Sequence, residues 1–403
     1  MKKYRFFDNA STTKCCEAAI ELNRRFSEDD YANSSSSHAM GQLAARAIRE
    51  ARVFFAETFR VDPTQVLFTG SGTESDNLAI QGVALSQLTR QGGSFSRTGR
   101  PRMLCTATEH PAVKKSVESL ISLGFEPELI PVDSAGNILR ERLLGLLDPA
   151  PLLVSIQRVN NITGTIHPVE ELASLIKAKA PDTLIHTDAV QAFGKVSLPT
   201  APSKVDFVSL SAHKIEGPKG VGALIVMNRE LLRYAIRPLI WGGNHEGGFR
   251  AGTQNPGLIA GFHAAAKLAL ENQKARMEKI AGLNTKLREI LAAPLGSKIV
   301  INSPADAAPH ILSFSVPGLA SAGLARCLED RDFIVSTGSA CGSEHANEPD
   351  PVLSAMGLSD TLATSALRVS FSHLNEEQEL VEFAQALKES IEHTAKLMGS
   401  NRR

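Results

Sequence analysis

The sequence predicts an α/β protein: a mainly parallel sheet with helices on both faces, joined to a smaller α+β unit. Three observations carry that reading. From residue 65 onward, short apolar runs alternate with stretches of helical spacing, the pattern of parallel strands linked by crossover helices. Polar and glycine-rich segments fall at the ends of those runs, where such a sheet collects its ligands. After Asn255-Pro256-Gly257, a cap and proline that start a long helix, the order changes and strands follow one another. A chain of 403 residues is also too long for one ordinary core. The expected division is a large unit over 13–260 and a small one formed by 1–12 with 261–403.

Taken in order, Asp8 to Thr13 is a polar turn behind a short apolar strand, and 31–38 is a loop of low hydrophobicity. Leu43, Ala47, Ile48, Ala51 and Phe55 recur on one side of a helix over 41–59. Strands are expected at 65–69, 102–106, 128–132, 152–157, 183–187, 195–197, 205–211 and 221–227. Between them lie helices ending at 88, starting at 111, and spanning 139–147 and 169–178. Residues 86–101, polar and carrying Gly, Ser and Arg, read as a solvated loop. A helix then runs from 256 to about 291. Strands at 298–301, 311–316, 333–336 and 367–371 follow, mixed with helices at 319–330 and 375–398.

Composition excludes several classes of function. The 43 Lys+Arg balance 43 Asp+Glu, so nothing favours nucleic acid or an anionic membrane as the main partner. No stretch approaches a membrane span and the N-terminus lacks an apolar signal core, so a soluble cytoplasmic protein is expected. Five cysteines, at 15, 16, 105, 327 and 341, show no zinc spacing and no disulfide ladder. No metal site is expected.

The chemistry gathers at the strand ends. Val205 to Lys214 alternates like a half-buried strand, then ends in Ser211-Ala212-His213-Lys214 and a Gly/Pro turn. A lysine just past a strand, backed by hydroxyl and imidazole, suits a Schiff-base lysine whose pocket lowers its pKa. A surface lysine is the plain alternative. Gly70-Ser71-Gly72-Thr73-Glu74-Ser75-Asp76-Asn77 forms an anion nest at a helix start, fit for a single phosphate. It lacks the Gly-Lys-Ser/Thr ending of a nucleotide loop. Asp188, with Gln191 three residues on, is either a helix cap or the partner of a pyridinium nitrogen, Gln191 then meeting a ring hydroxyl. His110 can stack over a planar ring and move protons. Asn160 and Asn161 offer amides to an oxygen. Cys341 lies in a polar segment, 336–349, without the apolar neighbours of a packing cysteine.

Together these motifs resemble the cysteine desulfurases, pyridoxal-phosphate (PLP) enzymes of the class V aminotransferase group. The resemblance spans nearly the whole chain: FDNASTT, TGSGTESDN, TEHPAV, VNNITGT, HTDAVQAFGK, SLSAHKIEGPKG, FRAGTQN, STGSACGS and LRVSFS. It implies the PLP-dependent transferase fold type I, with a mainly parallel seven-stranded sheet in the large domain. It implies PLP as cofactor, carried by Lys214, with Asp188 on the pyridine nitrogen, Gln191 and Asn161 near the ring hydroxyl and His110 stacked on the ring. Gly72, Thr73, Ser211 and His213 are implied to hold the phosphate, with Thr253 arriving from the other subunit of a homodimer. Arg368 is implied to grip the carboxylate of L-cysteine by two parallel hydrogen bonds, with Asn161 beside it. Cys341, on a loop over about 336–350, is implied to take the sulfur as a persulfide and leave L-alanine. An acceptor protein for iron–sulfur assembly or tRNA thiolation is then implied as partner. A selenocysteine lyase or another class V enzyme is the alternative, and a poorly active PLP-binding sulfur carrier is a third reading.

Overall fold

The computed structural model describes residues 4–90, 100–295, 299–337 and 348–400. The chain opens with β1 (Arg5–Phe6), then α1 (Glu17–Glu28), α2 (Ala39–Phe59), β2 (Val66–Thr69), α3 (Gly72–Arg90), β3 (Arg102–Thr106) and α4 (Pro111–Ser119). It continues through β4 (Glu126–Ile130), α5 (Arg140–Gly145), β5 (Leu153–Ser155), α6 (Val169–Lys179), β6 (Leu184–Asp188), β7 (Phe207–Ser211) and β8 (Gly222–Val226). α7 (Leu231–Tyr234), α8 (Pro256–Glu271) and α9 (Gln273–Leu295) lead to β9 (Val300–Ile301), β10 (Ile311–Ser315), α10 (Ser321–Glu329) and β11 (Phe333–Ile334). The chain closes with α11 (Pro351–Ala355), α12 (Asp360–Thr364), β12 (Ala366–Ser370) and α13 (Glu377–Ser400).

Strands β2 to β8 form one seven-stranded sheet in the order β2-β8-β7-β6-β5-β3-β4. Its pairings are parallel except those of β8, which runs against both β7 and β2. The carboxyl ends of β2, β3, β5, β6 and β7 therefore share one edge. Helices cover both faces, so every residue of β7 is buried. The alternation read in 205–211 as half-burial is overridden by the second helical layer, as is usual for the inner strands of parallel sheets.

Local signals explain most boundaries. His38 caps α2, its ring accepting from the Gly41 amide at 3.3 Å, and Ala44, Ile48, Ala51 and Phe55 bury one face. Asn255 accepts from Leu258 N at 3.0 Å and Pro256 opens α8, as expected. Other expectations need correction. Residues 195–197 form no strand, because the amides of Lys195 and Val196 both return to the Ala192 carbonyl in a turn. The solvated loop expected from 86 begins inside α3, whose Ser86 hydroxyl bonds the Tyr234 carbonyl; 91–99 lie outside the described residues. The long helix from 256 breaks at Asn272. Helix α1 was not foreseen, since it buries only Ala19 and Phe26 and its apolar stripe is thin.

Two apolar cores matter for the site. One joins the sheet to α2, α6 and α8; another gathers α9, β10, β12 and α13 around Phe7. The Phe7 ring meets Phe333, Phe371 and Phe383 with centroids 5.6–6.2 Å apart. Strand β1 pairs in parallel with β11, so residues 5–7 are held by the second core. The next residues cross to the sheet: Ala10 N donates to Ser370 Oγ at 2.8 Å and Thr13 N to the His213 carbonyl at 2.9 Å.

Candidate functional site at the strand ends

The carboxyl ends of the strands open into a cavity of about 330 Å³. Gly72 and Thr73 come from the start of α3, His110 from the cap of α4, Asn161 from beyond β5, and Asp188 and Gln191 from the end of β6. Ser211, His213 and Lys214 follow β7, and Arg368 enters from β12. A larger cavity of about 530 Å³ lies at the opposite strand ends, against Leu152, Leu184 and Asp206. It holds none of the motif residues, and convergent polar groups mark a site better than volume.

Lys214 sits in a 3₁₀ turn, and its amine donates to the carbonyls of Ala10 at 2.7 Å and Ser11 at 2.8 Å. Gln191 donates to the same Ala10 carbonyl at 2.7 Å, which leaves its own amide oxygen without a partner. The crossing segment is thus a wall of the cavity. At the helix start, an added Cβ on Gly72 would lie 2.7 Å from Val190 Cγ2, so only glycine lets β6 and α3 approach this closely. The Ser211 hydroxyl beside it has no partner.

The charged groups are set by burial. Desolvation raises the Asp188 carboxyl to about 6, with Asp76 adding to the shift and His110 opposing it. Burial pushes His110 below its ordinary value, and its Nδ1 accepts from Ala112 N at 3.1 Å. His213 falls to about 4 through burial and the nearby lysines. The fork of Arg368 is already engaged: Nη2 donates to Asp8 Oδ1 at 2.8 Å and to Ser11 Oγ at 2.7 Å, and Nη1 to the Asn161 carbonyl at 2.8 Å. Only its Nε lacks a partner.

One described site residue of the sequence reading does not line this cavity. Thr253 lines a separate one of about 250 Å³ with Glu246 and Arg250. Cys341, with most of its loop, lies outside the described residues. The loop starts from Ser336, which exchanges two backbone hydrogen bonds with Arg368 (2.8 and 3.1 Å). The described cysteines are poor nucleophiles where a shift is resolved, since burial raises the Cys15 and Cys105 thiols.

The sequence reading missed two buried acids near Asp188. Asp76 lines the cavity, and Glu109 lies beside His110 in the chain with one oxygen accepting from Gln157 N at 2.6 Å. Burial raises Glu109 well above the carboxylate range and Asp76 to about 7. His186, 3.5 Å from Asp76, does not neutralise it: burial holds the imidazole at about 4, and its nitrogens meet the hydroxyls of Ser155 and Ser209. Both acids stand inside quoted motifs, yet only three-dimensional burial marks them out.

A prediction follows. A carboxyl whose folded pKa is raised contributes its full stability below the unfolded value and loses it as pH rises through the folded one. For Asp76 that window runs from about 4 to about 7. Asp76→Asn should therefore melt higher than wild type at pH 8, by of order 2–4 kcal/mol at about 1.4 kcal/mol per unit. The gap should close toward pH 4. Parallel melting curves across the range would show that Asp76 costs nothing when ionised.

Comparison with known proteins decides the family. The model of the class-V aminotransferases matches residues 5–383. The chain belongs to that family. Among class-V aminotransferase relatives, it is 36% identical to a NifS/IcsS protein homolog of Lactobacillus delbrueckii subsp. bulgaricus, over 97% of this chain and 98% of the relative. It is 35% identical to the cysteine desulfurase IscS of Anaeromyxobacter sp. strain Fw109-5, over 96% of this chain and 92% of the relative. A solved NifS-like protein superposes with a TM-score of 0.87 at 33% identity, covering 97% of this chain and 100% of the other. This class-V fold is the α/β architecture that the sequence predicts.

Proposed function

We propose that the protein is a cysteine desulfurase that uses PLP to move sulfur from L-cysteine onto Cys341, releasing L-alanine. The observation that supports this most is a set of buried atoms without partners. Asn161 Oδ1, Gln191 Oε1, Ser211 Oγ and Arg368 Nε converge on the cavity that Lys214 and Asp188 line. Buried polar atoms are normally paired, so a group left open in one place calls for a polar ligand. These residues fit PLP: an amine for its aldehyde, a carboxylate for its ring nitrogen, open amides for its hydroxyl, and a glycine-hydroxyl cradle at a helix start for its phosphate.

Bound there, PLP would supply an electron sink beside the substrate α-carbon. Asp188 would hold the ring nitrogen protonated, and His110 would lie against the ring. Gly72, Thr73, Ser211 and a neutral His213 would hold the phosphate, with Thr253 contributed across a homodimer. Arg368 would bind the substrate carboxylate. The Lys214 amine, freed from its carbonyl partners, would take the α-proton and return one to the carbon framework. The Cys341 thiolate would attack the substrate sulfur. An S–S bond forms as the Cβ–S bond breaks, and the electron pair stays on carbon, where a proton completes alanine. The persulfide would then pass to an acceptor protein, for iron–sulfur assembly or thiolation, in the cytoplasm. Among the described residues, no helix is long and apolar enough to cross a membrane. The two apolar cores support a large and a small unit, with α8 packed through Ala269 in the first core and the chain from Ile280 in the second.

Protein supplied with PLP, L-cysteine and a thiol reductant should form alanine and sulfide in equal amounts. Protein that binds PLP yet forms neither product contradicts the reading.

A further inference from the structure

We propose that Asp8 is a positioning residue of the carboxylate subsite, a resident counter-carboxylate that occupies part of the Arg368 fork and tempers its hold on substrate and product. The inference rests on Arg368 as the carboxylate-binding residue and adds a residue that the motif reading took only as part of a polar turn.

The geometry is specific. Both hydrogens of Arg368 Nη2 are committed, one to Asp8 Oδ1 at 2.8 Å and one to Ser11 Oγ at 2.7 Å. Ser11 Oγ in turn donates to Asp8 Oδ1 at 2.8 Å, closing a three-membered ring of contacts. Nη1 spends one hydrogen on the Asn161 carbonyl. The Nε hydrogen therefore remains for a ligand, with the second hydrogen of Nη1. A substrate carboxylate cannot form two parallel bonds along the Nε–Nη2 edge without loosening Asp8.

Physical chemistry gives this arrangement two consequences. The Arg368 side chain is only 4% exposed, and an uncompensated buried charge is expensive. Asp8 supplies that compensation while the subsite is empty. It also cancels part of the positive field that would otherwise fix any carboxylate. Cysteine and alanine carry the same carboxylate, so tight binding there would favour both alike. Such uniform binding lowers KM without raising kcat and slows product departure. Asp8 keeps the subsite suited to a neutral amino acid bearing one carboxylate, held firmly enough to orient and weakly enough to leave.

The test compares PLP-loaded variants by their dissociation constant for L-alanine, read by calorimetry, and their KM for L-cysteine. Asp8→Asn keeps an acceptor oxygen but removes the charge. It should tighten alanine by up to about fivefold, the range for a partly screened ion pair, and lower KM in step. Ser11→Ala keeps the charge but removes the brace, and should weaken both. If Asp8→Asn does not fold, Asp8→Ser reads the same loss of charge. A structural role alone would make the Asp8 and Ser11 variants weaken together, and that result overturns the proposal. Arg368→Ala separates the two levels. If it leaves alanine and cysteine binding unchanged, the carboxylate is held elsewhere and the proposed role of Arg368 fails; if it alone weakens binding while Asp8→Asn does nothing, only the role of Asp8 fails.

Discussion

Lys214→Ala should end turnover, with a loss of at least about 10²–10⁴-fold, the contribution of a positioned base alone. Borohydride reduction of PLP-loaded wild type should fix the cofactor to Lys214, and the variant should yield no labelled peptide. The structure names a rival that makes this test sharp. Lys195 is a buried lysine whose amine has no partner and whose pKa burial lowers to about 7, the property sought in a Schiff-base lysine. It does not line the strand-end cavity, whereas Lys214 does. Geometry therefore outranks basicity in assigning the residue. Label on Lys195, or on Lys219 a few residues beyond, would reverse that judgement.

Cys341→Ser should separate cofactor chemistry from sulfur removal. Lys214, Asp188, Gln191 and Arg368 are untouched, so PLP should bind and cysteine should still perturb its visible spectrum. Alanine formation should fall to background, because a hydroxyl is a far weaker nucleophile toward sulfur than a thiolate. No described cysteine with a resolved shift offers a substitute: burial raises Cys105 strongly and Cys15 more modestly, which suppresses the thiolate in each. Alanine release by Cys341→Ser near the wild-type rate would remove this residue from the chemistry.

Much of the site was legible because its parts sit at chain positions with a local signal. Gly72 and Thr73 open a helix, His110 precedes a proline at the start of another, and Asp188, Ser211 and Lys214 end or follow apolar runs. Period and punctuation place such residues without any knowledge of contacts. The parts that escaped depend on residues distant in sequence. Asp8 meets Arg368 across 360 positions, and Ala10 and Ser11 reach Lys214 with backbone carbonyls that no side-chain pattern announces. Asp76 and Glu109 were visible as letters but not as buried acids. The expected strand at 195–197 failed for a related reason: a short polar-apolar run carries no strand unless a neighbour pairs with it, and here the Ala192 carbonyl captures two of its amides.

The central claim is that Lys214 and Cys341 act in one reaction that moves sulfur from cysteine to this chain. The most direct measurement is to incubate PLP-loaded protein with sulfur-labelled L-cysteine, omit reductant, and map the label by peptide mass spectrometry while counting alanine. The prediction is one extra sulfur on Cys341, about one alanine for each labelled chain in the first turnover, and neither in Lys214→Ala. Label on Cys15, Cys16, Cys105 or Cys327 instead, or alanine formed with no sulfur on Cys341, would contradict it.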